Sequence, residues 1–186
     1  MSSAISKTAD LVLDYKLVPS EDVPVAHSIE IAVYPEGEPA SLKTLLYRQG
    51  AVPELFLGCY TRPAAAGQEQ MTTLAGYVVS TLASGERLTH DSMLTHDPNG
   101  NAVCIHSVSV AKTYQRRGLA SATLRQYLEH VRHLQKTVPG FQQVDRVLLI
   151  AHDYLISMYA GVGFKLVGRS DVEWGPDPWY EMEYIL

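Results

Sequence analysis

The sequence predicts a single mixed α/β domain, and three stretches carry that prediction. Val103 to Val110 (VCIHSVSV) and Arg146 to Ala151 (RVLLIA) are short, apolar and rich in β-branched residues, the pattern of strands. Between them Ala120, Leu124, Tyr127, Leu128, Val131 and Leu134 recur at helical spacing, which makes an amphipathic helix. At 186 residues the chain suits one domain with a full core.

The other elements follow in chain order. Residues 1–10 carry no structural pattern and are expected to be disordered, so the domain covers residues 11–186. Leu11 to Val18 alternates apolar and polar residues and reads as the first strand. Ser20, followed by Glu21 and Asp22, suits an N-cap for a helix running to about Val33, with Pro24 tolerated in its first turn. Pro35-Glu36-Gly37-Glu38-Pro39 breaks the chain. Ser41 to Gln49 forms a second short helix with Gly50 as its expected C-terminal cap. Glu54 to Thr61 and Met71 to Ala83 read as a hairpin around Pro63 to Gln70. The loop from Ser84 to Gly100 is long for a compact domain and has room for a helical turn. After the central strand, helix and strand, a short helix runs from about Asp153 to Ala160. Phe164 to Gly168 and Trp179 to Ile185 close the chain as strands joined across a Gly-Pro-Asp-Pro turn. The sum is a mixed central sheet of about seven strands flanked by about four helices.

Composition narrows the function class. Apolar residues make up 46% and charged residues 19%, ordinary for a soluble globular protein. A net charge of −5 argues against general nucleic-acid binding and mildly favours a cationic substrate. Cys59 and Cys104 both fall in apolar strands and read as reduced, buried thiols, not as a disulfide framework. No run approaches about 18 apolar residues, and Met1 to Asp10 has no signal pattern. The expectation is a cytoplasmic monomer without membrane attachment. No H-E-x-x-H or C-x-x-C spacing occurs, so no metal site is expected.

The most informative stretch is Gln115-Arg116-Arg117-Gly118-Leu119-Ala120, where the VCIHSVSV strand turns into the long helix. The first N–H groups of a helix lack internal partners and its dipole puts partial positive charge there. Two arginines add formal charge, and Gly118 lets a bulky anion lie against bare backbone. This turn is suited to a phosphate, although neither G-x-x-x-x-G-K-[ST] nor a strand-linked G-x-G-x-x-G is present. It resembles the Q/R-x-x-G-x-G/A signature of the GNAT superfamily of acyl-CoA-dependent N-acetyltransferases. Tyr159-Ala160-Gly161-Val162-Gly163-Phe164 is similar to the Y-x-x-x-G-F element that follows the fifth strand of those enzymes, and it lies in the expected order about forty residues on. Gly85-Glu86-Arg87-Leu88-Thr89-His90-Asp91-Ser92-Met93-Leu94 resembles the E-R-L-T-x-E-S-L segment of arylalkylamine N-acetyltransferases, where it leads into an H-x-H-x-x-A-V strand. Here that strand has Cys104-Ile105-His106, so only the second histidine is kept. The likeness spans roughly Leu13 to Glu183, with its strong motifs in residues 85–121 and 148–164. The R-R-x-S/T sites that recruit a 14-3-3 partner to the vertebrate enzymes are missing, so that partner is not implied.

The resemblance implies acetyl-CoA as co-substrate. It implies a donor site formed by Val108, Ser109 and Val110, by Gln115, Arg116, Arg117, Gly118, Leu119, Ala120 and Ser121, and by Tyr159. Acetyl transfer to an amine also has requirements of its own. An alkylammonium with a pKa of about 10.4 must lose a proton before it attacks, and a histidine of pKa about 6.5 suits that task. His106 is the candidate base, with His152 a possible second member of a proton relay. Tyr159 is the candidate acid for the departing thiolate, because a phenol of pKa about 10 stays protonated at neutral pH. The resembling enzymes use an aromatic, proline-lined pocket for a flat arylethylamine. Tyr34 and Pro35, with Phe56, Ile150, Trp179 and Tyr180, are the matching candidates. A polyamine would want carboxylates instead, which Glu36, Glu38, Glu54, Asp171 or Asp177 could supply, and a protein-amine substrate or a binding module without turnover also fits the residues.

Overall fold

The computed structural model describes residues 11–63 and 72–186. Its centre is a seven-stranded sheet in the order β1-β2-β3-β4-β5-β7-β6. The strands are β1 (Leu11–Leu17), β2 (Phe56–Pro63), β3 (Thr73–Ala83), β4 (Ala102–Val110), β5 (Arg146–Ala151), β6 (Lys165–Arg169) and β7 (Tyr180–Ile185). All neighbours are antiparallel except β4 and β5, which the long helix connects as a parallel crossover. The first ten residues and Met71, together with most of the expected Pro63–Gln70 turn, lie outside the described residues.

Among the described residues five α-helices cover the sheet: α1 (Val23–Val33), α2 (Leu42–Ala51), α3 (His90–Leu94), α4 (Leu119–Thr137) and α5 (Ile156–Ala160). The fifth, beyond the four expected, is the single turn in the long loop. It is held by a reciprocal cap in which Ser92 N–H donates to Thr89 Oγ1 and Thr89 N–H to Ser92 Oγ. The alternation of β3 sorts the layers. Val78 and Leu82 meet Leu124, Tyr127, Leu128 and Val131 of α4, whereas Tyr77 and Val79 meet Val23, Ala26 and Ile29 of α1 and Leu45 of α2. Each buried Val, Leu or Ile among these contributes about 1.5–3 kcal/mol of transfer free energy, so α4 is fixed mainly by its apolar stripe.

Two local expectations are corrected. Ser20 does not cap α1: residues 20–22 form a 3-10 turn, and its hydroxyl reaches only the neighbouring Glu21 carboxylate at 3.4 Å. Asp22 sits at the N-cap instead, but its carboxylate accepts from Tyr60 Oη at 2.6 Å, a tertiary bond that outcompetes capping. Gly50 lies inside α2, and the helix ends at Ala51 because Val52 turns away and Pro53 follows. Ser41 does cap α2, accepting from Thr44 N–H at 3.1 Å. Among the described residues no helix is long and apolar enough to cross a membrane.

Candidate active site

Strands β4 and β5 pair only from Ala102/Arg146 to Ile105/Leu149; beyond that register both continue without pairing to each other. The gap opens into a cleft of about 780 Å³. Its walls are Ser107, Val108 and Val110 of β4, Leu149 to Ala151 of β5, the turn before α4, and the segment between α1 and α2. At the same point β4 carries an extra residue against β3. Val79 faces Ser107 and Ser80 faces Ile105, which leaves His106 as the bulge. The bulge sends His106 and Ser107 to one face. Ser107 Oγ donates to Glu30 at 2.8 Å, and His106 Nε2 lies 2.8 Å from Thr81 Oγ1.

One end of the cleft is the turn before α4. Arg116 has φ 59°, and Gly118, the N-cap of the helix, has φ 78° and ψ 7°. A side chain is strained in that region, which is why glycine stands at Gly118. Nothing lies within 4 Å of the position a Cβ on Gly118 would take, so the backbone faces open space. Gln115 Nε2 donates to Val110 O at 3.0 Å and ties the turn to the end of β4. Free N–H groups at the start of a 19-residue helix, with Arg116 beside them, fit a phosphate or pyrophosphate.

The middle of the cleft holds the titratable groups. His106 is neutral at physiological pH, since burial and then the Arg48 charge hold its imidazole well below the ordinary histidine value. Its Nδ1 is 3.9 Å from Cys104 Sγ, a loose contact. Cys104 is fully buried against Met93 Sδ at 3.4 Å, outside the cleft wall, and burial lifts its thiol to about 12. Tyr159 lines the cleft, and its phenol is raised above the ordinary range by burial and by the Tyr34 and Tyr154 phenols. His152 is 5% exposed. Its Nε2 faces both Glu38 oxygens at 3.3 Å, and its ring lies 3.9 Å from that of Trp179, centroid to centroid.

Another part of the lining is apolar and aromatic, with Met93, Leu94, Trp174, Trp179, Pro35 and Pro39, and Tyr34 lines the cleft beside Tyr159. Beneath it Glu30 is a buried carboxylate that accepts from Tyr77 Oη at 2.5 Å, Ser107 Oγ and Ala40 N–H. Of the residues expected at the site, His106, His152, Tyr159, Val108, Val110, Gln115, Arg116, Gly118, Leu119, Ala120, Ser121, Tyr34, Pro35, Ile150 and Trp179 share this one cleft. Phe56 does not: it is fully buried on the Tyr77 ring in the core under α1. Tyr180 is held in register between Ala151 and Arg169, Ser109 points into the interior, and Arg117 is on the exposed side of the turn. Sequence reasoning missed Arg48, Glu30, Trp174 and Thr81. None lies in a motif, and Arg48 and Glu30 look like ordinary polar positions on amphipathic helices.

A parallel splayed pair opening over a helix N-terminus whose geometry suits a phosphate, with a neutral histidine and a protonated tyrosine in the lining, is a cleft that fits a phosphorylated carrier. Residues 27–153 match the acetyltransferase (GNAT) family, and the chain belongs to that family. It is 30% identical over 135 residues to a serotonin N-acetyltransferase of Mesocricetus auratus, covering 72% of this chain and 57% of that protein. The chain thus spans little more than half the length of that relative. The fold is similar to that of the loading GNATL domain of CurA from Lyngbya majuscula (TM-score 0.71, 13% identity, 94% and 98% of the two chains). It is similar also to yncA of Salmonella typhimurium, a structure with its cofactor acetyl-CoA (TM-score 0.61, 14% identity, 94% of each chain).

Proposed function

We propose that the protein is an acetyl-CoA-dependent N-acetyltransferase acting on the primary amine of an arylalkylamine. The observation that carries the reading is one cleft whose lining includes the α4 turn, His106 and Tyr159, and the indoles of Trp174 and Trp179. Arg116 and the backbone from Gly118 to Ser121 hold the pyrophosphate, and Val108 with Val110 lines the path of the pantetheine arm. Thr81 holds Nε2 of His106, which leaves Nδ1 to take the amine proton, directly or through water. The nitrogen then forms the C–N bond as the C–S bond breaks, and the sulfur departs with the proton of Tyr159. The acylated nitrogen gives up its second proton to the Tyr159 phenolate, which restores the phenol, and His106 passes the first proton to solvent. His152, fixed by Glu38 and Trp179, relays protons on the opposite wall.

Two carboxylates that would otherwise suit a polyamine are already committed. Glu30 accepts three hydrogen bonds, and Glu38 faces His152. The flat indole walls favour an aromatic acceptor by stacking. Free-thiol release from acetyl-CoA with a panel of aryl amines, polyamines and peptides tests the reading. Aromatic amines should exceed spermidine by at least about tenfold in kcat/KM. A spermidine preference of that size would transfer the assignment to a polyamine enzyme. Thermal stabilisation by CoA with no turnover of any amine would leave a binding module.

A further inference from the structure

We propose that Arg48 is a recognition site for a carboxylate carried by the acceptor, so that the preferred substrates are aromatic α-amino acids over the corresponding simple arylethylamines. This deepens the acetyl-transfer reading and rests on it. Arg48 lies in the last turn of α2, is only 9% exposed and lines the cleft. Among the described residues its guanidinium has neither a hydrogen bond nor a carboxylate within ion-pair distance. Burying a guanidinium without hydrogen bonds is costly, and five planar N–H donors suit a carboxylate in the forked, two-bond arrangement. Glu30 does not fill that role, since its oxygens already take the Tyr77 and Ser107 hydroxyls and the Ala40 N–H.

Position selects the ligand. The Arg48 charge acts on both the His106 imidazole and the Cys104 thiol, so an anion it binds lies close to where the amine gives up its proton. An α-amino acid carries its carboxylate and its amine on the same carbon, which matches that proximity. The aromatic side chain would then extend to Met93, Trp174 and Trp179. A fixed cation here also disfavours a polyamine, whose second ammonium would meet it unscreened.

The test compares L-tryptophan with tryptamine, and L-phenylalanine with phenylethylamine, using wild type and Arg48→Gln. Wild type should favour each amino acid by about tenfold to a hundredfold in kcat/KM, the scale of a charge-assisted hydrogen-bond pair, and in Arg48→Gln that ratio should collapse towards one. A wild-type preference for the plain amines overturns the proposal, as does a ratio unchanged in the variant. Calorimetry of N-acetyl-L-tryptophan against N-acetyltryptamine on the CoA-loaded protein needs no turnover and separates the two readings. If no amine is acetylated but the carboxylate still binds through Arg48, acetyl transfer and the substrate preference fail together while the carboxylate site at Arg48 stands. Equal binding of the two acetyl compounds by wild type would sink it. The donor could also bring the carboxylate: malonyl-CoA binding more tightly than acetyl-CoA, in an Arg48-dependent way, would overturn the acceptor assignment. Arg48→Lys, which keeps the charge but not the fork, should retain part of the ratio if Arg48→Gln fails to fold.

Discussion

His106 Nε2 and Thr81 Oγ1 stand 2.8 Å apart across β4 and β3, at the bulge where β4 gains one residue over its neighbour. Without the extra residue, strict alternation would send only one of His106 and Ser107 to this face. The bulge thus joins two functions: Ser107 anchors the Glu30 network, and His106 meets the cleft with one ring nitrogen held.

His106→Ala should lower kcat/KM by about 10²–10³, the usual scale of general acid–base catalysis. Because the folded imidazole lies well below its ordinary value, the acidic limb of the wild-type rate profile should fall below about pH 6.5. Stability follows the same sign. The unfolded histidine binds a proton that the folded one refuses, so this contribution is complete above about pH 6.5 and is lost as pH falls below it. Melting temperatures of wild type and His106→Asn should therefore converge on acidification. Wild-type activity in His106→Ala across neutral pH would withdraw the assigned role.

Tyr159→Phe should lower kcat by about 10² and leave the Kd for CoA within a few-fold of wild type, since only a proton is removed from an otherwise retained ring. Calorimetry with CoA and steady-state rates separate the two effects. Equal losses in both would make Tyr159 a binding residue.

In the turn before α4, effects on stability and affinity can be separated. Gly118→Ala puts a side chain at φ 78° and should cost about 1–2 kcal/mol in urea unfolding as well as weakening CoA binding. Arg116→Ala and Arg116→Gly both remove charge and should weaken CoA alike. At φ 59° the glycine variant should nevertheless melt higher than the alanine variant, because only it tolerates that backbone freely.

Cys104→His should not restore a second base. The thiol is enclosed by Met93, Leu148 and Ala102, so an imidazole overpacks the site and should cost about 1–3 kcal/mol. It would also face the Arg48 charge, which disfavours its protonated form. A gain in activity at lower pH, measured beside the loss in stability, would contradict this.

Much of the molecule was legible in local sequence because its signals are local. β4, α4 and β5 begin and end within three residues of their hydrophobic patterns, and β5 matches Arg146 to Ala151 throughout. The Gln115–Ser121 turn announced itself by glycine and arginine at a strand-to-helix boundary, and Tyr159 by the Gly163-Phe164 that follows it. Caps were less legible. Ser20 had the right neighbours, yet Tyr60, distant in sequence, reached Asp22 and decided that helix start. Phe56 shows the same limit, since an aromatic residue at a strand end can line a pocket or fill the core, and only its contact with Tyr77 selects the core.

By itself the sequence determined the periodicities, and so the seven strands, the helix between β4 and β5 and the glycine-arginine turn before it, because each depends on residues a few positions apart. The tertiary structure alone decided the bulge at His106, the Glu38–His152 pair across 114 positions and the action of the Arg48 charge on His106. Those relations depend on how distant segments converge once strands pair and helices bury their stripes. Charge and hydrogen bonding act over a few ångströms in space, whatever the distance along the chain.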